Sequence, residues 1–364
     1  MSAAATPQAT AALAARIANA GFYRRAWDGL TAASIGLGTY LGEANDDTDA
    51  AYAAAIRRYL ELGGNVLDSA INYRFQRSER AIGAALQAAI GAGQTSRESV
   101  IVCTKGGYLS FDGDWPADPE AWLRQTFLDS GLVRPDEVVD GHCMAPAYLR
   151  HEIAQSRANL RVEAIDLYYL HNPEGQLAAL GEALFRERLR EAFATFEVAV
   201  SQGHIRAYGV ATWNGLRARP KAAEYLALPM LVEAAQDVSG DRHHFRAVQL
   251  PINFQMLEAV GLANQPGHSE MAPLLQVAAE QGIAVMASAS LLQARLLGQL
   301  PEPLRARFEP GLSDAQCALQ FVRSAPGLTT ALAGMSRTAH VNENLTLKDL
   351  PPMTAAVWRR VFAV

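Results

Sequence analysis

Cysteine is scarce in this 364-residue sequence, and long apolar runs are missing. The cysteines Cys103, Cys143 and Cys317 lie far apart without C-x-x-C spacing, which fits a reduced compartment and no disulfide framework. The sequence contains no run of about 18 apolar residues, the length needed to span a bilayer. The alanine-rich start has no basic leader, and Arg16 interrupts its apolar part. We therefore expect no signal peptide and a cytoplasmic protein without a membrane partner.

Positive charge is not in surplus either. The 32 Lys and Arg residues are outnumbered by 37 Asp and Glu residues, for a net charge of -5, which argues against nucleic acid as a partner. Hydrophobic residues make up 50% of the chain and charged residues 19%, as expected for a globular core of enzyme size. The length alone allows two average domains or one large α/β barrel.

Short apolar runs rich in β-branched residues recur along the chain and predict strands. Alanine- and leucine-rich segments with helical spacing separate them, and several end in glycine, at Gly63, Gly203 and Gly282. Such alternation implies parallel strands with crossover helices, and eight units can close a (β/α)8 TIM barrel, the α/β fold that we predict. The runs are SIGLG from residue 34, NVLD from 65, SVIVCTK from 99, AIDLYYLH from 164, IRAYGVAT from 205, RAVQLPIN from 246, IAVMASAS from 283 and GLTTALAG from 327.

A doubly wound sheet would show the same alternation and is the main alternative. No G-x-G-x-x-G follows any run, and GLGTYLG at residues 36 to 42 has the wrong spacing, so a dinucleotide would not be held in the Rossmann manner. We expect one barrel domain over residues 1–364, with an N-terminal extension over 1–30. A loop over 108–144, inserted after the third strand, is too short and polar to own a core, so we interpret it as a lid or interface element.

Four residues with proton-transfer chemistry lie at or just after neighbouring strand ends. Asp68 ends the second run, Tyr73 follows it, Lys105 ends the third and His171 ends the fourth. In a barrel the carboxyl ends of the strands meet at one face, where catalytic groups gather, so these side chains should converge. Each alone is weak, since a single strand-end Asp is more often a cap or ion-pair partner.

Together the four residues predict a proton-donating site. The ammonium of Lys105 would lower the pKa of Tyr73 by favouring the phenolate, and Asp68 would keep Lys105 charged. The imidazole of His171 could donate a hydrogen bond to a carbonyl oxygen and orient it toward the phenol. General acid catalysis on a carbonyl is the simplest role, because these positions form no metal-ligand cluster and no nucleophile-base pair.

The sequence around these residues resembles the aldo-keto reductase family in its bacterial form. The resemblance runs from about Tyr23 to Leu345, through GLGTY (36 to 40), LDSAINY and SERAIGAAL (67 to 86), IVCTK (101 to 105), IDLYYLHNPE (165 to 174) and GMSRTAHVNENL (334 to 345). It implies a barrel oxidoreductase with Asp68, Tyr73, Lys105 and His171 as the catalytic tetrad. The cofactor would be NADPH in preference to NADH, and a small aldehyde or ketone would be reduced to an alcohol.

The resemblance also implies a cofactor site around the barrel mouth. The GTY turn at residues 38 to 40 matches the first cofactor-contacting turn, and Gln249 matches a glutamine that contacts the nicotinamide amide. Ser336 and Arg337 would sit at a 2′-phosphate, which Arg337 could bind through charge-assisted bonds, although a solvated surface arginine is the alternative. The full set implied is Gly38, Thr39, Tyr40, Asp68, Thr212, Gln249, Ser288, Leu291, Gln293, Gly334, Ser336, Arg337, Glu343 and Asn344.

Two departures from the family pattern concern the nicotinamide. After the fifth strand the family usually has Ser-Asn, whereas this chain reads ATWN at residues 211 to 214, where Thr212 could still form a hydrogen bond. On the seventh strand the usual stacking aromatic is replaced by Ser288. Trp213 could supply a ring instead, although a core or loop tryptophan is the alternative.

Other candidate groups are interpreted as structural. His142, Cys143 and His151 straddle a loop and a helix start, so we predict no metal site there. His243 and His244 indicate a polar loop. The arginines that follow Tyr73, Arg74 and Arg77 among them, fit a solvated helix start, and an anionic substrate bound by Arg74 or Arg77 is the alternative.

Two further hypotheses stay open beside the carbonyl reductase. One is a cofactor-binding barrel with little turnover that regulates a partner, which the altered nicotinamide contacts allow and the intact tetrad opposes. The other is a Schiff-base lyase with Lys105 as the nucleophile, which would leave the GMSR and NEN segment without a purpose.

Overall fold

In a computed structural model, which describes residues 4–17, 21–298 and 300–362, eight parallel strands close into a barrel. Each strand is hydrogen-bonded to the next in the chain, and the eighth returns to the first through Ala331 to Gly334 paired with Ile35 to Gly38. The strands are β1 (Ile35–Gly38), β2 (Val66–Asp68), β3 (Ile101–Gly106), β4 (Leu167–His171), β5 (Tyr208–Ala211), β6 (Phe245–Pro251), β7 (Ala284–Ser288) and β8 (Thr330–Gly334).

A helix follows every barrel strand, so the predicted (β/α)8 fold is confirmed. Local signals mark where these helices begin: the Asn45 side chain accepts from the backbone N–H of Thr48 (2.9 Å), and Ser313 forms a capping box with Gln316. The helices are α1 (Asp46–Glu61), α2 (Arg77–Gly91), α3 (Pro146–Leu160), α4 (Glu182–Ser201), α5 (Leu228–Ser239), α6 (Leu274–Glu280), α7 (Asp314–Arg323) and α8 (Thr338–Leu345).

Shorter elements lie in the loops and at the ends of the described chain. They are helices Pro7–Ile17, Glu174–Leu180, Glu258–Gly261, Glu302–Arg305 and Ala355–Phe362, the hairpin Tyr23–Arg25 with Thr31–Ala33, and the strand pair Gln265–Pro266 with Met271–Ala272. None of the helices in the described ranges combines the length and the apolar character needed to cross a membrane.

The amino-terminal end of the barrel is closed by the segment that precedes β1. Trp27 and Leu30 pack against inward-facing residues of the barrel strands. Buried Asp166, at the start of the β4 region, accepts from the backbone N–H of Ala5 (2.7 Å) and pairs with Arg97 (2.7 Å). The mouth of the barrel is therefore at the carboxyl ends of the strands.

The insertion after β3 has more apolar packing than the sequence suggested. It contains the helix Pro119–Leu123, a π-helical turn Arg124–Leu128 and the antiparallel pair Val138–Val139 with His142–Cys143. Phe127, Val133, Cys143 and Tyr148 form a cluster joined by four leucines, a tryptophan, a valine and an alanine of this region. The loop therefore contributes more apolar packing than its polar composition suggested, because its scattered aromatic and leucine residues converge with Tyr148 of α3.

Candidate active site

Four predicted proton-transfer residues lie together at the mouth of the barrel. Asp68 ends β2, Lys105 is the penultimate residue of β3 and His171 ends β4, so three adjacent parallel strands carry them to one face. Tyr73 reaches the same place from the loop between β2 and α2. A cavity of about 920 Å³ opens here, lined by Asp68, Tyr73 and His171.

Asp68 and Lys105 form a buried ion pair directly behind the cavity wall. Lys105 Nζ donates to Asp68 Oδ1 (2.5 Å) and to the carbonyl oxygen of Ser69 (2.6 Å), and Gln249 Nε2 donates to Asp68 Oδ2 (2.8 Å). Burial alone would lower the pKa of Lys105, but the charge and hydrogen bond of Asp68, together with Tyr73, oppose burial, so the pKa lies above its usual value. Lys105 is thus a fixed ammonium and a poor nucleophile, which counts against the lyase hypothesis.

The pKa of Tyr73 departs from our expectation. We expected Lys105 to lower it, and Lys105 Nζ does lie 5.0 Å from the centre of the Tyr73 ring. Burial nevertheless raises the pKa above its ordinary value, because the desolvated phenolate loses more than the ammonium returns, and the charge of Asp68 opposes the phenolate further. Tyr73 therefore keeps its proton at neutral pH, as a proton donor requires.

His171 borders the same space with a neutral ring. Its ring centre is 5.9 Å from that of Tyr73, with the planes at 76°. Burial, and then the nearby charge of Lys105, hold the pKa of His171 well below its usual value. Within the described residues its Nδ1 atom has no hydrogen-bond partner. A neutral imidazole of this kind can donate one hydrogen bond to a bound oxygen.

His142, which belongs to the insertion, contacts the backbone of His171. Its Nε2 atom lies 2.7 Å from the carbonyl oxygen of His171, so Nε2 carries the proton and donates it. Gln176 Nε2 then donates to His142 Nδ1 (3.0 Å), and burial lowers the pKa of His142 to about 4. A Cβ on Gly107 would lie only 2.5 Å from His142 Nε2, and the φ of Gly107 is +135°, so glycine is needed there.

A buried acid, Glu152 on α3, holds the backbone at the start of the insertion. The backbone N–H of Gly107 donates to Glu152 Oε2 (2.6 Å), and the Tyr148 hydroxyl lies 2.7 Å from Glu152 Oε1 and 2.8 Å from the carbonyl oxygen of Tyr108. The Tyr148 hydroxyl is the donor in both contacts, and it shares one proton between the Tyr108 carbonyl oxygen and the Glu152 carboxyl group. Burial, with Glu79 adding to it, raises the pKa of Glu152 to about 8.

This neutral acid predicts a pH-dependent difference in stability between the wild type and Glu152→Gln. Between pH 4.5 and 8 the folded state keeps a proton that the unfolded chain releases, so rising pH costs the wild type up to about 1.4 kcal/mol per pH unit. Glutamine mimics the protonated acid and removes this dependence. Urea unfolding at pH 5.0, 6.5 and 8.0 should show Glu152→Gln gaining relative stability as pH rises. Glu187→Gln, on the exposed side of α4, is the matched control, and a constant wild-type difference for Glu152→Gln would contradict the prediction.

The cavity continues from Asp68, Tyr73 and His171 toward α8. The predicted cofactor residues that line it are Gly38, Thr39, Tyr40, Asp68, Thr212, Gln249, Ser288, Leu291, Gln293, Gly334, Ser336, Glu343 and Asn344. Arg337 is exposed, precedes α8 and lies outside the lining. Asn344 Oδ1 is buried and has no partner within the described residues, which leaves an acceptor at this end of the cavity.

Thr212 and Gln249 line the cavity but already hold other partners. Thr212 Oγ1 donates to Glu174 Oε1 (2.6 Å) and accepts from the backbone N–H of Gly215 (2.7 Å). Glu174 Oε1 also accepts from the backbone N–H of Trp213 (2.9 Å). Thr212, which from the sequence could still form a hydrogen bond to the nicotinamide, thus gives its hydroxyl proton to a buried carboxylate. Trp213 lines the cavity and is 39% exposed, so it lies in a loop and not in the core.

The sequence interpretation missed much of the wall between β7 and α7 and several residues around the tetrad. The 44-residue spacing between the seventh and eighth runs, the longest after the insertion, was the available signal that this connection does more than join two strands. Lining residues that were not among the predicted site residues include Leu41, Tyr52, Asn72, Tyr108, Asn172, Ala294, Leu297, Gly298, Arg305, Ser313, Asp314 and His340.

The other candidate groups have ordinary partners. Arg74 and Arg77 both pair with Asp49, and Arg77 also pairs with Asp46, so neither is free to attract an anionic substrate into the cavity. His244 Nδ1 lies 2.8 Å from Glu197 Oε2. No group of three His, Cys, Asp or Glu side chains suited to a metal ion occurs in the described part of the chain.

A closed (β/α)8 barrel with a buried Asp-Lys pair, a half-buried tyrosine and a neutral histidine at its mouth defines a class of barrel proteins equipped for proton transfer. The profile of the Aldo/keto reductase family matches residues 34–364, and the chain belongs to this family.

Two curated relatives cover most of the chain. The uncharacterized oxidoreductase YqkF of Bacillus subtilis (strain 168) is 25% identical over 305 residues, 81% of each chain. The D-threo-aldose 1-dehydrogenase of a Pseudomonas species is 25% identical over 331 residues, 85% of this chain and 84% of the relative.

Two solved structures share the fold at low sequence identity. An aldo/keto reductase from Klebsiella pneumoniae, crystallised in complex with NADP and acetate, superposes with a TM-score of 0.63 at 20% identity and covers 94% of this chain and 95% of its own. The holo form of an aldo-keto reductase from Bacillus halodurans gives the same TM-score of 0.63 at 20% identity, covering 94% and 96%.

Proposed function

We propose that this protein is a nicotinamide-dependent oxidoreductase that reduces an aldehyde or ketone to an alcohol. The observation that carries the proposal is the arrangement of three side chains at the cavity: protonated Tyr73, the Lys105 ammonium 5.0 Å from its ring, and the neutral His171 ring 5.9 Å away. The oxidoreductases among the relatives, and the structural relative crystallised with NADP, support it.

Residues of the chain itself orient the carbonyl group and supply the proton. His171 donates a hydrogen bond that orients the carbonyl oxygen, and Tyr73 Oη transfers its proton to that oxygen. A nicotinamide cofactor, when bound, would supply the hydride for the carbonyl carbon and would itself be oxidised. The C=O π bond breaks, C–H and O–H bonds form, and the phenolate of Tyr73, stabilised by Lys105, regains a proton from solvent. The reverse oxidation uses the same groups and needs Tyr73 deprotonated.

The elongated cavity fits a dinucleotide. It extends from the tetrad to α8, where Ser336, just before the helix, offers a hydroxyl and Asn344, in the last turn of the helix, an unpartnered buried amide oxygen. Gln249 and Ser288 line the part nearest the tetrad. We assign NADPH in preference to NADH because exposed Arg337 adjoins Ser336 and can pair with a 2′-phosphate.

Arg337→Ala should weaken NADPH binding about tenfold and leave NADH binding unchanged, because only the 2′-phosphate needs the guanidinium. Fluorescence titration with both cofactors measures this. Arg307→Ala, a change at another arginine outside the cavity lining, is the charge-matched control. Equal weakening of NADPH binding and NADH binding would show that Arg337 does not bind the 2′-phosphate.

The proposal as a whole is tested by titrating the protein with NADPH and then assaying a panel of aldehydes. We expect binding and turnover. Failure to bind both NADPH and NADH would refute the proposal. Tight binding without turnover of any aldehyde would favour the regulatory barrel. Borohydride treatment with a carbonyl substrate should leave Lys105 unmodified, whereas a covalent adduct on Lys105 would identify the lyase.

A further inference from the structure

We propose that Tyr108, oriented by Asn172, is a specificity-determining residue that hydrogen-bonds an oxygen on the carbon beside the reacting carbonyl, so that the preferred substrates are neutral α-hydroxy aldehydes or ketones. The inference rests on the proposed function, because it concerns the same cavity. It starts from two residues that the catalytic roles leave unused.

Tyr108 stands beside the same imidazole as Tyr73. It follows β3 at the start of the insertion and lines the cavity. Its ring centre lies 5.3 Å from that of His171, with the planes at 88°, while the Tyr73 ring lies 5.9 Å from it. Two phenols therefore border one neutral histidine. A carbonyl oxygen held by Tyr73 and His171 leaves the neighbouring carbon of the substrate within reach of Tyr108.

The hydrogen-bond capacity of Tyr108 and Asn172 matches a hydroxyl group. Asn172 Nδ2 donates to Tyr108 Oη (3.3 Å), and the Asn172 backbone N–H donates to the carbonyl oxygen of Ala211 (2.6 Å). Within the described residues the Tyr108 hydroxyl proton has no acceptor and Asn172 Oδ1 has no donor. The pair thus offers one donor and one acceptor, and a hydroxyl group can use both. Asn172 has a φ of +48°, a conformation that asparagine tolerates better than most residues.

In the described part of the chain, the lining at this end of the cavity offers no free cation to an anionic group. Among the described residues, the cavity lining contains one arginine, Arg305, which pairs with Asp314 (2.6 Å) in the part built by the connection between β7 and α7. Asn72, Tyr40 and Trp213 complete the wall near the tetrad. Amide groups and aromatic faces without a free cation suit a neutral hydroxylated substrate.

A matched pair of substrates tests the proposal. Lactaldehyde and propanal share a carbon skeleton and differ by the α-hydroxyl. Wild type with NADPH should show the higher kcat/KM for lactaldehyde, and Tyr108→Phe should lower that value about tenfold while leaving propanal within twofold. Comparing the variant with wild type on each substrate cancels differences in aldehyde hydration. Tyr225→Phe, which removes a hydroxyl bonded outside the cavity to the carbonyl oxygen of Asn264 (2.6 Å), should change neither value.

The outcomes separate this inference from the proposed function. Equal loss on both aldehydes in Tyr108→Phe, or a wild-type preference for propanal, overturns the inference and leaves carbonyl reduction intact. Faster reduction of glyceraldehyde 3-phosphate than of glyceraldehyde overturns the claim that the preferred substrates are neutral. If wild type reduces no aldehyde at all, the proposed function falls and this inference falls with it. A thermal melt of Tyr108→Phe close to that of wild type confirms that the comparison concerns folded enzyme.

Discussion

Tyr73→Phe is expected to lower kcat about a thousandfold or more while the Kd for NADPH stays within twofold. The hydroxyl acts mainly in the transition state, where it gives its proton to the carbonyl oxygen, so its loss reduces kcat and kcat/KM together. The ring remains and keeps its edge contact with Tyr40, whose centre is 4.9 Å away. Steady-state kinetics and cofactor titration on the same preparation measure the two quantities.

The thermal melt separates a chemical effect from a structural one. Tyr73→Phe removes one hydroxyl at the cavity and no carbon, so the variant should melt close to wild type. If more than a tenth of the wild-type activity survives in a folded variant, the proton comes from another group, and Tyr73 loses its assigned role. His171 would then be the next donor to examine, because it borders the same space.

Lys105→Met is expected to destabilise the protein by about 3 to 5 kcal/mol and to remove activity. It leaves the carboxylate of Asp68 buried without its cation, which is the costly way to break a buried ion pair. The double variant Asp68→Asn with Lys105→Met removes both charges and should recover much of the lost stability. Activity should not recover, because no ammonium remains to stabilise the Tyr73 phenolate.

Denaturant unfolding of wild type, Lys105→Met and the double variant gives the three free energies, and an aldehyde assay gives the three rates. Asp237→Asn with Arg190→Met removes an exposed ion pair and is the matched control, with a small expected effect. If the double variant is as unstable as the single one, the cost arises from packing around Lys105. If the double variant is active, Lys105 has no part in proton transfer.

The sequence was sufficient to predict the fold and the convergence of four side chains, Asp68, Tyr73, Lys105 and His171, at one face of the barrel. Parallel strands of a barrel carry their carboxyl ends to one face, so residues at the ends of β2, β3 and β4 must be neighbours. That argument needs only strand positions, which hydrophobic runs reveal. Tyr73 lies in the loop after β2, five residues beyond Asp68, so the same strand end carries it to this face.

Other properties depend on distances that the strand pattern does not contain. The direction of the Tyr73 pKa shift required the depth of burial to be weighed against one ammonium. The contact of Thr212 with Glu174 could not be predicted without knowing how the loops after β4 and β5 run. His142 lies 29 positions before His171 and reaches it only because the insertion folds back under β4. Long-range loop contacts of this kind leave no periodic signal in a sequence.

The contact between His142 and the backbone of His171 has a consequence for protein engineering. Loops at the mouth of a barrel are commonly exchanged to change specificity, because the barrel itself tolerates their variation. Here the 108–144 loop carries at one end Tyr108, which faces the cavity, and near the other end His142, which holds a tetrad residue from behind. A transplanted loop would therefore have to restore a donor to the His171 carbonyl oxygen before any new substrate preference could be expressed.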